Sequence, residues 1–212
     1  DADVMTRGLG SEFLITECGY KAFPTEALTH QPITAVLEVM QENHVDPHAL
    51  RSILVKTTTR GADILSDASK YDPKTKETAD HSLPYCVAVA AAKGNVLPSD
   101  FEADALADPF VRSLLKKIQV VADPEIDALF PKVKRAVVTV TTESGGSFTR
   151  QEDFAKGSPE RPLSDEDVVA KFRSNASGVL PDRKIERLAE ATLGLESFAS
   201  TGDYMRLLVR GR

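Results

Sequence analysis

The side chains best suited to chemistry are a few cations that stand next to turns. Lys21 follows a predicted strand and Arg60 ends another, so both could grip a carboxylate. His81 lies just before a predicted buried helix, where a histidine can serve as an acid or a base near neutral pH. His30 stands at the start of another predicted helix, whose backbone N–H groups attract anions. These cationic and imidazole side chains predict acid–base chemistry on a carboxylated substrate. In the alternative interpretation, the lysine and arginine are solvated charges at strand ends and the histidines are structural.

The sequence lacks the motifs of metal, nucleotide and nucleophilic sites. His44 and His48 lie in a polar turn with no cysteine or further histidine at a metal-binding spacing, so we interpret them as surface residues. Gly8 and Gly10 lack the strand-to-helix context of a dinucleotide-binding loop, and no GxSxG elbow is present. We therefore predict neither a metal nor an organic cofactor.

The composition argues against several classes of partner. The 212 residues carry 26 basic and 32 acidic side chains, a formal charge of −6, with 6% aromatic residues, which argues against a nucleic-acid groove. The longest apolar runs, residues 87–92 and 136–140, fall far short of the roughly 20 residues that cross a bilayer. Cys18 and Cys86 sit in apolar surroundings without a CxxC spacing, which predicts reduced core residues and a cytoplasmic protein.

The elements that must position the candidate side chains alternate between strand and helix patterns. Residues 13–20 (FLITECGY) and 52–59 (SILVKTTT) are apolar or β-branched and predict strands. Between them, apolar residues at helical spacing predict a helix over 32–43. A polar stretch at 66–78 predicts an exposed loop, and the Ala-rich run at 82–94, with proline near its start and glycine at its end, predicts a buried helix.

The middle of the chain adds the rest of a sheet. Residues 109–117 have helical spacing, and 118–122 predict a short strand. Residues 132–142 and 147–151 flank a Gly-Gly turn and predict a hairpin. The whole region is therefore expected to be α+β, with a mixed or antiparallel sheet.

A segment rich in glycine, proline and charge, residues 155–162, separates this region from a helical C-terminal part. Ser164 is placed to cap a first helix, a second follows, and a last short one covers 203–209. We predict an α+β domain over 1–155 and a helical segment over 156–212. Because so few helices bury little apolar surface alone, they should pack on something larger than the α+β region.

One long run of residues resembles the signature of a known protein family. Residues 71–85, YDPKTKETADHSLPY, closely resemble a signature of the MmgE/PrpD family. Other landmarks of that family follow in order, namely Lys-Ala-Phe-Pro at 21–24, Thr-His at 29–30, and GSPERPLSDEDVVAKF at 157–172. The resemblance covers essentially the whole chain. The family includes 2-methylcitrate dehydratases, cis-aconitate decarboxylase and iminodisuccinate epimerase, which work without a metal.

This resemblance implies a lid-type α+β domain followed by C-terminal helices that normally join a helical domain. Members of the family are considerably longer, so an N-terminal helical domain of the same enzyme is the expected partner of these residues. The resemblance also suggests a homodimer. We expect it to lie in the cytoplasm, or in the mitochondrial matrix of a eukaryote.

The resemblance also suggests roles for individual side chains. Lys21 matches the lysine that the family brings to its cleft from the lid, and His81 matches the histidine of the DHSLPY string, so both are predicted to be catalytic. His30, Arg60 and Tyr85 are predicted to bind substrate carboxylates. His81 either donates a proton to a leaving hydroxyl or acts as the base, and the sequence leaves both roles open.

The expected function is therefore that of a hydro-lyase. It would dehydrate or hydrate a small hydroxy-tricarboxylate such as 2-methylcitrate, in propionate metabolism, with this chain supplying the lid side of the site and its activity in isolation left open. Glu26 stands where cis-aconitate decarboxylase has a histidine shortly after the lysine, which slightly favours dehydration. The alternatives are decarboxylation, epimerisation, or a non-catalytic interaction module with an exposed apolar docking face, in which the matching strings only determine the fold.

Overall fold

A mixed sheet organises the larger part of the protein. The computed structural model describes residues 2–209, and within them four strands pair in the spatial order β2-β1-β3-β4. They are β1 (Leu50–Thr57), β2 (Ile118–Ala122), β3 (Ala136–Thr142) and β4 (Ser147–Glu152). β1 pairs parallel with β2 and antiparallel with β3, and β3 and β4 form the predicted hairpin. The predicted α+β class is confirmed.

The register brings particular strand ends together. Lys56 of β1 lies opposite Val137 of β3, and Ala136 of β3 lies opposite Glu152 of β4. Consequently the end of β1, the start of β3 and the end of β4 share one end of the sheet. The loops that lead into β3 and out of β4 emerge side by side there.

Ten α-helices accompany the sheet within residues 2–209. They are α1 (His30–Glu42), α2 (Thr59–Leu65), α3 (Lys76–Ala79), α4 (Leu83–Lys93), α5 (Ala103–Leu106), α6 (Pro109–Leu115), α7 (Pro124–Asp127), α8 (Asp165–Ala176), α9 (Asp182–Leu193) and α10 (Thr201–Leu208). In the part that the structure describes, none is long and apolar enough to cross a membrane.

The two helices predicted most clearly from pattern form the centre of the core. α1 packs on β3 and β4 with its apolar stripe, and α4 packs against α1, α6 and β2. Residues Leu83–Ala91 of α4 are all buried, which explains why that run is apolar on every side. Gly94 ends α4 in the left-handed conformation, with φ +70°, where glycine carries no Cβ penalty.

The predicted strand over residues 13–20 is wrong. The segment forms a single 3-10 turn at Leu14–Glu17, and its backbone bonds locally, from Cys18 N–H to Ile15 O for example. A strand needs a neighbour to complete its hydrogen-bond ladder, and no described strand pairs with these residues. Cys18 is therefore exposed rather than in the core, whereas Cys86 is buried as predicted.

The strand predicted over residues 52–59 ends earlier than expected. β1 stops at Thr57, and the Thr58 side chain accepts a hydrogen bond from Gly61 N–H, which caps α2. Arg60 thus lies in the first turn of a helix and not at the end of a strand. The predicted exposed loop at 66–78 is also more ordered, since it contains a 3-10 turn at Ala68–Tyr71 and the start of α3.

The chain divides into two compact units, residues 1–162 and residues 163–212. The second unit holds α8, α9 and α10; Ser164 and Asp167 form the reciprocal cap of α8, and Arg173 of α8 grips Glu186 of α9 with two hydrogen bonds. Its predicted last helix begins at Thr201 instead of residue 203. Residue 1 and residues 210–212, which belong to the predicted domains, lie outside the described residues.

Candidate anion-binding cleft

A cleft of about 370 Å³ opens in the first unit where three loops meet the start of α1. The loops are the chain around Lys21, the segment that leads into β3, and the segment that follows β4. The lining residues are Gly19, Tyr20, Lys21, Ala27, His30, Gln31, Pro131, Lys132, Lys134, Asp153, Phe154, Ala155, Lys156, Gly157, Ser158, Pro159 and Glu160. The strand register accounts for this meeting, because the last two loops leave the same end of the sheet.

Two glycines allow the loops to approach each other. Tyr20 N–H donates to Gly157 O at 2.7 Å. A Cβ on Gly19 would lie only 2.6 Å from that same oxygen, which no larger residue could tolerate without a backbone shift. Gly157 itself has φ +94°. The cleft wall therefore depends on close backbone contact between residues that are far apart in sequence.

The cleft is cationic. Its lining includes four lysines, and these come from three different loops: Lys21, Lys132, Lys134 and Lys156. The Lys21 ammonium donates to Thr25 O at 2.7 Å, which directs it along the wall formed by its own loop. The lining carboxylates are those of Asp153 and Glu160, so cations are in excess.

One of those two carboxylates is already neutralised. Arg135 donates to Asp153 through Nε at 2.7 Å and Nη2 at 2.8 Å, and these hydrogen bonds lower the pKa of Asp153. Gln151 donates a further bond to it. Asp153 thus keeps its charge, but it is paired with an arginine that does not line the cleft.

An ionic network ties the loop after β4 to α1. Arg161 bonds Glu152 Oε2 at 2.6 Å and also bonds Glu38 of α1. Arg150 bonds Glu152 at 2.7 Å, Glu42 at 2.8 Å and Glu38 at 2.5 Å. Burial is the main reason that the pKa of Glu152 is raised, with Glu38 adding to the effect. The network holds one cleft wall in a fixed place on the helix that forms another.

His30 is the second predicted site residue that lines the cleft. It is 2% exposed, and its ring lies against that of Phe23, with 5.5 Å between the centroids. The next residue, Gln31, also lines the cleft and is 3% exposed. Lys21 and His30 therefore line the same cleft.

Sequence reasoning did not identify Gln31 or the lysines of the two later loops. Lys132, Lys134 and Lys156 belong to no motif, and a lysine in a loop is usually a solvated charge. Gln31 carries no motif. The only sequence signal that could have found these residues is the hairpin itself, which places the flanks of its two strands side by side.

His81 does not line the cleft, but the chain links it to the Lys21 loop. Its Nδ1 lies 2.5 Å from Asp80 Oδ1, and Glu26 N–H donates to Asp80 O at 3.0 Å. A carboxylate on Nδ1 fixes the orientation of the imidazole and leaves Nε2 for proton transfer. Ser82, the residue after His81, caps α4 by accepting a hydrogen bond from Tyr85 N–H.

The remaining predicted site residues lie elsewhere. Arg60 is exposed on α2, at the same end of the sheet as the cleft but outside its lining. Tyr85 is fully buried in α4; its hydroxyl donates to Asp100 O at 2.7 Å, and burial raises its pKa. That contact gives Tyr85 a structural role. Glu26 accepts a hydrogen bond from Leu28 N–H at 2.5 Å and so caps the turn before α1.

The two turn histidines are surface residues, as predicted. His44 and His48 are exposed, and the ring of His48 stacks on Phe110 with 4.2 Å between centroids. Across residues 2–209, no group of three or more histidine, cysteine, aspartate or glutamate side chains is arranged to hold a metal ion.

Comparison with known proteins finds one family model and several cis-aconitate decarboxylases that are similar to this chain. The sequence model of the MmgE/PrpD C-terminal domain matches residues 23–196. The chain is 27% identical to cis-aconitate decarboxylase of Mus musculus over 194 residues, 91% of this chain and 39% of that protein. It is 26% identical to the Homo sapiens cis-aconitate decarboxylase, covering 85% of this chain and 37% of that protein, and 22% identical to the Aspergillus terreus one, covering 95% and 42%. The chain thus spans about two fifths of the length of these relatives.

Proposed function

Because the chain belongs to the MmgE/PrpD family, we propose that its first unit supplies the cationic side of a lyase active site that binds a small tricarboxylate. The observation that carries this proposal is the meeting of four lysines from three loops in one cleft. A tricarboxylate brings three negative charges, which separate cations can hold at different points. Electrostatic attraction also draws such a ligand toward the cleft.

The lysines suit the chemistry of a lyase as well as binding. In a dehydration, a base removes a proton next to a carboxylate and an acid protonates the leaving hydroxyl, so that a C=C bond forms and water departs. In a decarboxylation, a C–C bond breaks, CO₂ leaves, and an acid protonates the carbon. Both reactions build negative charge on a group that is already anionic, and positioned cations such as Lys21 stabilise it.

We propose the Asp80–His81 pair as an acid–base group. Asp80 holds Nδ1 of the imidazole, so the ring is oriented and its other nitrogen can carry or accept a proton. His81 is exposed outside the cleft lining. We therefore propose that a helical domain of the same enzyme completes the site around His81. From the family resemblance we further propose a homodimer in the cytoplasm.

Two reactions are the candidates. The names of the relatives favour decarboxylation of cis-aconitate. Dehydration of a hydroxy-tricarboxylate such as 2-methylcitrate is the second candidate, because it builds the same negative charge that the lysines can stabilise. The Glu26 carboxylate accepts the hydrogen bond that caps the turn before α1, so Glu26 does not favour dehydration over decarboxylation.

The binding half of the proposal is tested on the chain itself by calorimetric titration with citrate and with cis-aconitate. Replacing Lys21 or Lys156 by methionine should weaken each affinity about 5- to 10-fold, because a charge-assisted contact is lost. Lys116→Met, at an exposed lysine after α6, is the matched control and should change nothing. Equal affinities for all four proteins would refute the cationic cleft.

The catalytic half requires the complete protein. Absorbance of the new conjugated double bond reports dehydration, and release of CO₂ reports decarboxylation. In the complete enzyme, Lys21→Ala should lower turnover by about 100-fold with folding intact, the usual scale for a lost charge stabiliser. Turnover at the unsubstituted level would remove Lys21 from the mechanism.

A further inference from the structure

Gln31 and Ser158 each bring to the cleft a buried polar atom that has no hydrogen-bond partner among residues 2–209. These atoms are Oε1 of Gln31 and Oγ of Ser158. Gln31 lines the cleft from the first turn of α1, and Ser158 lines it from the loop after β4. Buried polar groups in native proteins almost always have a partner, so a bound ligand is the expected source of the absent hydrogen bonds.

The backbone holds Ser158 in a defined place on the cleft wall. Gly157 N–H donates to Arg161 O at 2.7 Å, and Arg161 N–H donates back to Ser158 O at 3.0 Å. The Arg161 side chain is in turn ion-paired with Glu152 and with Glu38 of α1. The Ser158 hydroxyl therefore belongs to a tight turn that is itself tied to α1.

Gln31 is also firmly placed, because it is 3% exposed in the first turn of a 13-residue helix. No hydrogen bond within the described residues fixes its amide, so the side chain can turn either its oxygen or its NH₂ group toward a ligand. The chemistry of the ligand therefore determines which end of the amide is used. The surroundings indicate an anion, because four lysines line the same cleft and the N-terminal end of a helix favours negative charge.

An ionised carboxylate can only accept hydrogen bonds, and both side chains can supply donors to it. The hydroxyl of Ser158 can donate one hydrogen bond, and the NH₂ group of Gln31 can donate two. Both side chains are neutral, so they add hydrogen bonds to the cleft without adding charge to that of the lysines.

We propose that Gln31 and Ser158 donate hydrogen bonds to carboxylate oxygens of the anion in the cleft, as neutral ligands beside the lysines. The inference rests on the proposed function, because that function places a tricarboxylate in this cleft. The two donors serve any small polycarboxylate, whether it carries a hydroxyl, a double bond or neither. They contribute to binding and not to the stability of the ligand-free chain, in which they have no partner among the described residues.

The test measures binding and stability on the same variants. Tricarballylate, a tricarboxylate with neither a hydroxyl nor a double bond, is titrated calorimetrically into the 212-residue chain. Gln31→Met and Ser158→Ala should each weaken its affinity about 10-fold, the scale of a hydrogen bond to a charged group. The ligand-free variants should unfold at the temperature of the wild type or higher, because each change removes a buried polar group that lacks a partner.

Gln41→Met and Ser113→Ala are the matched controls, since both residues are exposed and lie outside the cleft lining. Both should bind tricarballylate as tightly as the wild type does. Because Gln31→Met and Ser158→Ala are independent changes on two different elements, each residue is tested by its own variant.

The outcomes separate this inference from the proposed function. Wild-type affinity in Gln31→Met or in Ser158→Ala overturns the inference and leaves the lysine cleft standing. A lower unfolding temperature of either ligand-free variant also overturns it, since the side chain then stabilises the fold. Binding of citrate without binding of tricarballylate by the wild type overturns it as well. Binding of neither anion refutes the proposed function together with this inference.

Discussion

At the scale of single residues, the net charge that the cleft presents depends on which of its side chains already form ion pairs. Asp153 lines the cleft, but its carboxylate is held by Arg135, so it does not neutralise the lysines. Glu152, next to it, turns toward Arg150 and Arg161. Two acidic residues at the end of β4 therefore contribute to structure without cancelling the positive field in front of them.

The Arg135–Asp153 pair should appear in the pH dependence of stability. Because the pKa of Asp153 is lower in the folded protein than in the unfolded chain, the pair stabilises the fold above the unfolded value of about 3.9. That contribution is lost as the pH falls through the lower folded pKa. Asp153→Asn should cost about 1 kcal/mol at pH 7, a modest amount because solvent reaches both side chains.

Urea unfolding of the two proteins at pH 7 and at about pH 2 measures this effect. The difference between wild type and Asp153→Asn should shrink toward zero at the lower pH. Asp63→Asn, at an exposed aspartate of α2, serves as the control. A difference that stays constant across this range would show that Asp153 acts through packing instead of charge.

At the scale of elements, the predictions were right where one short segment determines the structure. They were wrong where the structure depends on contacts between distant segments. α1 and α4 were predictable because their periodicity, proline and terminal Gly94 lie within one segment. Residues 13–20 have strand-like composition, but a strand also needs a partner, and that cannot be seen locally. The end of β1 was misplaced because Thr57 and Thr58 look alike in sequence while only Thr58 caps a helix. Half of the cleft was missed for the same reason, since Lys132 and Lys156 meet through strand register.

Gly19 tests whether the contact between loops shapes the cleft. A methyl group there would meet Gly157 O at 2.6 Å and Ser158 Cα at 3.0 Å, so the two loops must separate. Gly19→Ala should reduce stability by about 1–3 kcal/mol and weaken citrate binding, both measured by thermal unfolding with and without ligand. Gly194→Ala, where the nearest atom is 3.5 Å away, should stay within about 0.5 kcal/mol. Equal behaviour of the two variants would contradict this account.

At the scale of the whole molecule, the two units differ in how much apolar surface they bury. The first has a continuous core in which α1, α4 and the sheet share fully buried side chains. In the second, the buried apolar residues are Ala176, Ile185, Leu188 and Ala189, while Leu193, Met205 and Leu208 are about half exposed. Exposed apolar side chains on these helices are the surface that the proposed packing against a helical domain would cover.

This difference in buried apolar surface predicts that the two units differ in their ability to fold alone. Residues 163–212 made as a separate peptide should show weak helical circular dichroism and a broad thermal transition, because short helices need a packed core. Residues 1–162 should unfold in one cooperative step. A sharp, cooperative transition of the isolated C-terminal peptide would contradict the prediction.

The exposure of Cys18 has a practical consequence. Cys86 is sealed in the core and burial raises the pKa of its thiol, so a thiol reagent added to the folded chain reacts at Cys18. Cys18 directly precedes Gly19, whose backbone forms part of the cleft wall. A fluorescent dye attached there reports from the rim of the cleft with no engineered cysteine. Cys18 is thus a natural labelling site at which the fluorescence of a dye can report the binding of an anion in the cleft.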